Sequence, residues 1–227
     1  MSFDVVWENI ALYLQGAQLT LELLIVSLLF GLLLAVPLAI VRSRGGWTSR
    51  VVWLYTYVFR GTPMLVQLFL VYYGLAQFEI VRESAAWPLF SSAWFCAALT
   101  FILNTTAYTT EIFAGGIHAL PKGEIEAARA MGMSPLVMLR RIVLPGALRR
   151  SLPAYGNEMI FMLHGTSLAS VVTLMDLTSA AREVNASNYI PFEAFLTAGA
   201  MYLVMTMILV GLFHKAEARW LQPILQS

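Results

Sequence analysis

Leu23-Leu24-Ile25-Val26-Ser27-Leu28-Leu29-Phe30-Gly31-Leu32-Leu33-Leu34-Ala35-Val36-Pro37-Leu38-Ala39-Ile40-Val41 runs for 19 residues without an Asp, Glu, Lys or Arg. Wound as a helix, such a stretch matches the hydrocarbon thickness of a bilayer, which takes about 20 apolar residues. Four further intervals lack those four residue types: 61–78 (18 residues), 84–110 (27), 159–175 (17) and 194–214 (21). Extended into their apolar flanks, the five runs predict helices near 15–41, 51–76, 92–116, 154–175 and 193–214. The composition of the whole chain agrees, with 59% hydrophobic and 12% charged residues against about a quarter charged in an ordinary soluble domain. Mean hydropathy is +0.73. Lipid tolerates only helices or closed barrels, because no water is present to bond exposed backbone groups. These runs are too long and too uniformly apolar for barrel strands. The fold class expected is all-α, a polytopic membrane helical bundle of five transmembrane helices forming one domain over 1–227.

Charge sets the orientation. Segments 42–50, 118–153 and 215–227 hold eleven of the 14 basic residues, and the positive-inside rule places them in the cytoplasm. The N-terminus is then outside and the C-terminus inside, which an odd number of spans requires. Outer segments 77–91 and 176–192 are too short for an extracellular domain. The formal net charge of +1 gives no basis for nucleic-acid binding. Cys96 is the only cysteine; it lies in an apolar run and reads as packing. Residues 1–10 carry Asp4 and Glu8 but no Lys or Arg, so the basic region of a cleavable signal is missing and the first span is expected to stay in the mature protein. Neither an internal repeat nor a low-complexity tract is visible.

The inner segment 118–153 is patterned rather than featureless. After Pro121 and Gly123, residues Glu124 to Met131 are strong helix formers, with acidic residues in the first turn where the helix dipole favours them. Gly132 stops that helix. Ser134-Pro135 fits an N-cap followed by Pro at the first helical position, opening a second helix over Leu136–Val143 that Pro145 ends. A short helix, a glycine turn and a second short helix form a knob that another protein can grip.

Glu126-Ala127-Ala128, three residues, Gly132, nine residues, then Ile142-Val143-Leu144-Pro145 resembles the "EAA" loop of permeases in ATP-binding-cassette (ABC) importers. Phe59-Arg60-Gly61-Thr62-Pro63, the stretch Leu103 to Gly115 and Pro153-Ala154-Tyr155-Gly156-Asn157-Glu158 are similar to the polar amino-acid subfamily. The likeness spans roughly 15–222. His164-Gly165-Thr166-Ser167 replaces the commoner Lys-x-Thr-Ser, a detail shared with the branch that carries cationic amino acids. Gly116 departs from the pattern, standing where many relatives have Arg. The resemblance implies a multi-pass protein of the bacterial inner membrane with three kinds of partner besides lipid. These are a homologous second permease, an ATPase homodimer that binds ATP and Mg, and a periplasmic amino-acid-binding protein. It also implies cytoplasmic coupling helices in which Ala127, Ala128, Met131, Gly132 and Met133 face a groove of the ATPase. Glu126 and Arg129 would meet its rim, Ile142 and Leu144 would belong to the same motif, and Pro145 would angle the chain back to the membrane.

No catalytic constellation is present. The Gly-x-x-x-x-Gly-Lys-Ser/Thr phosphate loop is missing, so the energy must come from another chain. His118, His164 and His214 lack metal-ligand spacing, and no cofactor is expected on this chain. Ionisable residues within a span are costly and point to function. Tyr155, Glu158, Met162 and Thr166 fall near one helical stripe, and Asn157, Phe161, His164 and Leu168 on the adjacent one. With Ser167, and with Tyr108 from the preceding span, they make a candidate substrate pathway. Glu158 reads equally as a carboxylate for a cationic substrate or as an inner-interface partner of Arg149 or Arg150. His164 reads as lining the path or as an interhelical hydrogen bond. Glu22, Arg60 and Glu111 are expected to be structural intramembrane charges, Arg60 through an ion pair beside a kink at Thr62-Pro63. Gly31, Gly199 and Gly211 are expected to let helices pack closely.

Two other readings compete with direct transport by this chain. A secondary transporter would show related repeats. A coupling subunit would supply the loop while its partner holds the substrate.

Overall fold

A computed structural model describes residues 3–225, and all regular structure among them is helical. After α1 (Phe3–Glu8), α2 (Ile10–Ser43) runs for 34 residues. At 1.5 Å per residue that is about 51 Å, more than a hydrocarbon core of about 30 Å, so α2 projects beyond the lipid or crosses it tilted. Gly45 and Gly46, at φ +75 and +82, turn the chain into α3 (Gly46–Gly61).

The expected straight span at 51–76 is broken. Thr62 is extended (φ −118, ψ 144), and α4 (Met64–Phe69) leaves at 102° to α3, continuing through a π turn and a 3-10 turn to Gln77. Pro63 is the cause. It has no N–H to continue the ladder, and its ring pushes the preceding residue out of the helical region. Gln67 takes over the orphaned carbonyls. Its Nε2 donates to Phe59 O (2.7 Å), Thr62 O (3.1 Å) and Thr62 Oγ1 (2.8 Å).

Two short turns, α5 (Glu79–Arg82) and α6 (Trp87–Phe90), lead to α7 (Ala93–His118), whose N-cap Ser92 accepts from Phe95 N. This helix is the centre of the molecule. Its Phe101 is fully buried with Leu23, Leu68, Leu163 and Val172 in the main core, and its Cys96 is buried as packing. It approaches α2 closely: a Cβ on Gly31 would collide with the Thr105 methyl, and Thr106 Oγ1 donates to Gly31 O at 3.4 Å. The other two glycines expected at helix contacts behave differently. A Cβ on Gly199 or Gly211 would have nothing within 4 Å, so they face outward and pack against no other helix among the described residues.

Segment 118–153 forms α8 (Lys122–Ala130) and α9 (Pro135–Met138), then a π turn over Leu139–Val143 that passes directly into α10 (Leu144–Gly165). Pro145 therefore does not end a helix, contrary to the reading from sequence. It sits in the first turn of α10, where the widened turn before it relieves the clash between its ring and the carbonyl four residues back. Beyond Gly165 the chain tightens into a 3-10 turn, Thr166–Val171, so the expected 154–175 helix is α-helical only in its first half. The hydroxyls of Thr166 and Ser167 donate to Leu163 O and His164 O, at 2.6 and 2.7 Å, and this backward bonding competes with the α ladder.

Asp176 is buried and caps α11 (Leu177–Asn188) by accepting from Ser179 N at 2.9 Å and Thr178 N at 3.2 Å. The chain closes with α12 (Pro191–Leu225). Among the described residues, α2 and Pro191–Arg219 are long and apolar enough to cross a membrane, and the bent α3–α4 pair makes a third if it forms one span. Their outward faces expose Leu29, Leu33, Val204, Ile208 and Leu212, the surface lipid requires. At 26 residues, α7 is about 39 Å long, and it buries Asn104, Thr105, Thr106, Thr109 and Thr110 among its neighbours.

Candidate functional site

The bend between α3 and α4 positions the polar site. Gln67, fixed at the bend, accepts from Asn104 Nδ2 at 3.0 Å, and Asn104 begins a stripe on α7 with Tyr108 and Ile112, four residues apart at each step. Facing this stripe, α10 presents Ala154, Asn157, Glu158, Phe161 and Met162. Together with Met64 these residues line a cavity of about 490 Å³.

Glu158 is the charged group of the cavity. It is 6% exposed, and its Oε1 accepts from Thr105 Oγ1 at 3.1 Å. It forms no ion pair with Arg149 or Arg150. Arg150 instead lies 3.9 Å from Glu124 on α8, an exposed contact worth about 0–1 kcal/mol. Asn157 and Phe161 stand exposed at the mouth, with Phe161 71% accessible, and Met162 is buried behind them. The Tyr108 hydroxyl donates to Arg60 O at 3.4 Å, and the Arg60 guanidinium stacks 5.3 Å from the Tyr108 ring centre.

Five expected pathway residues thus come together: Tyr108, Asn157, Glu158, Phe161 and Met162. Three do not. His164 points away to α12, where Nε2 lies 3.3 Å from Thr206 Oγ1, so of its two readings the interhelical bond is the one formed. Thr166 and Ser167 spend their hydroxyls on their own helix. Met64, Asn104, Ile112 and Ala154 complete the lining. Asn104 and Ile112 lie inside the Leu103–Gly115 stretch, where their spacing from Tyr108 could have shown them.

The intramembrane charges divide. Glu111 Oε1 accepts from Arg42 Nε at 2.9 Å and from Thr56 Oγ1 at 2.6 Å, tying α7 to α2 and α3. Arg60 makes no ion pair among the described residues, contrary to expectation. The bend leaves it exposed at the end of α3, where its guanidinium lies over the ring of Tyr108 and its charge also acts on Glu158 without forming an ion pair. Glu22 is exposed on α2. A Cβ on Gly116 would collide with Ser151 Oγ and lie 2.7 Å from Ala147 O, so α7 and α10 close on each other there with no room for a side chain.

On the inner loop, α8 ends in a Schellman motif. Met133 N donates to Ala128 O at 3.1 Å and Gly132 N to Arg129 O at 2.9 Å, with Gly132 at φ +72. Glu126, Ala127, Arg129, Met131 and Gly132 are exposed, while Ala128 is buried against its own chain. Ala128 therefore does not belong to an outward contact face, because the amphipathic period of α8 turns it inward. Ile142, Leu144 and Pro145 are half-buried where the loop rejoins α10. Ser134 occupies the N-cap position of α9, yet its side chain makes no capping bond. No group of three or more His, Cys, Asp and Glu able to hold a metal ion occurs among the described residues.

Comparison with known proteins identifies the family. Residues 27–222 match the family model described as binding-protein-dependent transport system inner membrane component. The histidine/lysine/arginine/ornithine transport system permease protein HisM of Escherichia coli (strain K12) is 50% identical over 93% of this chain and 90% of its own. The nopaline transport system permease protein NocM of Agrobacterium fabrum is 43% identical, covering 100% of this chain and 95% of its own. A crystal structure of an amino acid ABC transporter with histidines superposes with a TM-score of 0.85 at 32% identity, covering 96% of this chain and 99% of that one. The chain therefore belongs to the inner membrane components of binding-protein-dependent transport systems, among the polar amino-acid permeases of ABC importers.

Proposed function

We propose that this chain is the permease subunit of an amino-acid importer of the bacterial inner membrane. It passes amino acids, cationic ones by preference, through the cavity between α7 and α10. The observation that carries this reading is Glu158, a buried carboxylate that forms no ion pair among the described residues: it accepts from the neutral Thr105 hydroxyl, the Arg60 charge acts on it only at longer range, and it stands where a cation entering past Asn157 would meet it. Burial without a charged partner is costly. A positively charged amino acid relieves that cost, and a neutral or acidic one does not. The chain is not an enzyme: ATP hydrolysis belongs to separate ATPase subunits.

The coupling partner is a homodimeric ATPase that holds the ATP and Mg. It grips the exposed apolar and charged residues of the 122–145 loop, namely Glu126, Ala127, Arg129, Met131, Gly132 and the half-exposed Met133. Closure of the ATPase carries α8 and α9 inward as one body, and the unbroken run from α9 into α10 transmits that motion to Asn157 and Glu158. The cavity alternates between facing a periplasmic amino-acid-binding protein and facing the cytoplasm.

One observation favours a variant of this reading. The exposed Phe161 and Asn157 leave the cavity open on one side, where a homologous second permease closes it. If that partner alone holds the substrate, this chain is a coupling subunit. Reconstituted complex carrying Glu158→Gln, or Asn157→Ala, decides between them. Transport by this chain requires arginine and lysine uptake to fall at least tenfold, with ATP hydrolysis still supported. Unchanged affinity and rate assign the site to the partner.

A further inference from the structure

A second polar recess lies against the first. Between α10 and α12 is a groove of about 260 Å³, and Asn157 lines both it and the main cavity. His214 and Glu217 of α12 also line it. The two helices are antiparallel and their contacts fix the register. His164 meets Thr206, a Cβ on Gly156 would lie 2.7 Å from the Phe213 ring, and Pro153 shares the groove with Glu217. Glu217 thus stands level with Pro153, five residues below Glu158. At 1.5 Å per residue the two carboxylates are separated by about 7 Å along the axis, with Glu217 towards the end bearing the basic inner loop.

The protein partner of Glu217 is loosely held. His214 Nδ1 lies 3.3 Å from its Oε2, yet the imidazole is 71% exposed and the carboxylate only 23%. The ring can swing into solvent while the carboxylate stays sheltered in an otherwise apolar groove of Met159, Ile160, Leu209 and Phe213. We infer that this groove is a second binding site for an organic cation, an ammonium or guanidinium group. There a cation that has left Glu158 past Asn157 displaces the His214 ring from Glu217 and takes its place on the carboxylate. The inference rests on the pathway reading above and extends it by one station towards the cytoplasm.

The test uses the full reconstituted complex with Glu217→Gln, which keeps the size of the side chain, and with Glu217→Asp. The expected result is arginine and lysine uptake slowed at least fivefold at saturation, with the half-saturating concentration unchanged. Uptake of any neutral amino acid that the complex carries should be unaffected, and Glu217→Asp should recover at least half the rate. Equal slowing of charged and neutral substrates, or no slowing, overturns the inference. An ammonium can also come from a lipid headgroup. The assay is therefore repeated in vesicles of phosphatidylglycerol and a neutral glycolipid, which carry no headgroup ammonium. Persistence of the Glu217→Gln defect there identifies the amino acid as the cation, and its disappearance overturns the pathway role. Glu158→Gln run in parallel separates the two proposals: loss of cationic uptake in that variant with a normal Glu217→Gln refutes this inference alone.

Discussion

Asn104 donates to Gln67 Oε1 at 3.0 Å, so the amide that repairs the broken second span also fixes the first polar residue of the cavity. The backbone break at Pro63 and the cavity wall are one hydrogen-bonded unit.

Gln67→Leu tests that unit. It strips the donor from the Phe59 and Thr62 carbonyls and the acceptor from Asn104, and each buried polar group left unpaired costs about 1–3 kcal/mol. The expected outcome is a complex whose thermal midpoint in detergent falls by several degrees, with uptake reduced as well. Gln67→Glu, which keeps an acceptor for Asn104 but loses the donors, should retain more of the uptake than of the stability.

Glu111 with Arg42 is the charged tie between α7 and the α2–α3 hairpin. Arg42→Met alone should destabilise by about 1–3 kcal/mol, since it leaves a sheltered carboxylate with only Thr56. Arg42→Met with Glu111→Leu should recover much of that loss. By contrast Glu124→Gln, on the exposed Arg150 pair, should cost under about 1 kcal/mol. Equal losses for the two sites in a thermal unfolding series would remove the tie from the account.

Gly31→Val forces methyls into Thr105, and overpacking of this kind costs about 1–3 kcal/mol. Because Thr105 also donates to Glu158, arginine uptake should drop by more than the fall in assembled protein explains. Gly116→Arg should prevent close approach of α7 and α10 and lower the yield of assembled complex. A fully assembled and active Gly116→Arg protein contradicts the packing described.

Gly132→Val places a β-branched residue at φ +72, a conformation that such side chains avoid at a cost of about 1–2 kcal/mol. The Schellman turn should open and the knob lose its shape. The expected outcome is a chain still inserted in the membrane, with substrate-stimulated ATP hydrolysis reduced at least tenfold and basal hydrolysis by the ATPase retained. Normal stimulation would separate the loop from coupling.

Legibility varied along the chain for physical reasons. The α8 helix, its glycine stop and the Pro135 start were readable because capping and φ preferences act within a few residues. Pro145 was misread because its effect depends on the turn before it, and a π turn accommodates what an α turn rejects. From sequence His164 reads as path lining or as an interhelical bond, and Arg60 as half of an ion pair. Their partners, Thr206 and the ring of Tyr108, are 42 and 48 residues away in sequence, and nothing local announces them. Gly199 and Gly211 look like Gly31 in sequence, yet only Gly31 has a neighbouring helix to meet.

By itself the sequence determined the all-helical class, the long apolar α2 and α12 and the patterned inner loop. Each of these follows from composition and from interactions spanning a turn or two of chain. Tertiary structure alone decided which polar residues share a cavity. Asn104, Tyr108 and Glu158 meet because the chain bends by 102° at Pro63 and because Gly31 and Gly116 let α2 and α10 close on α7. Helix packing, which no single segment encodes, sets those approaches.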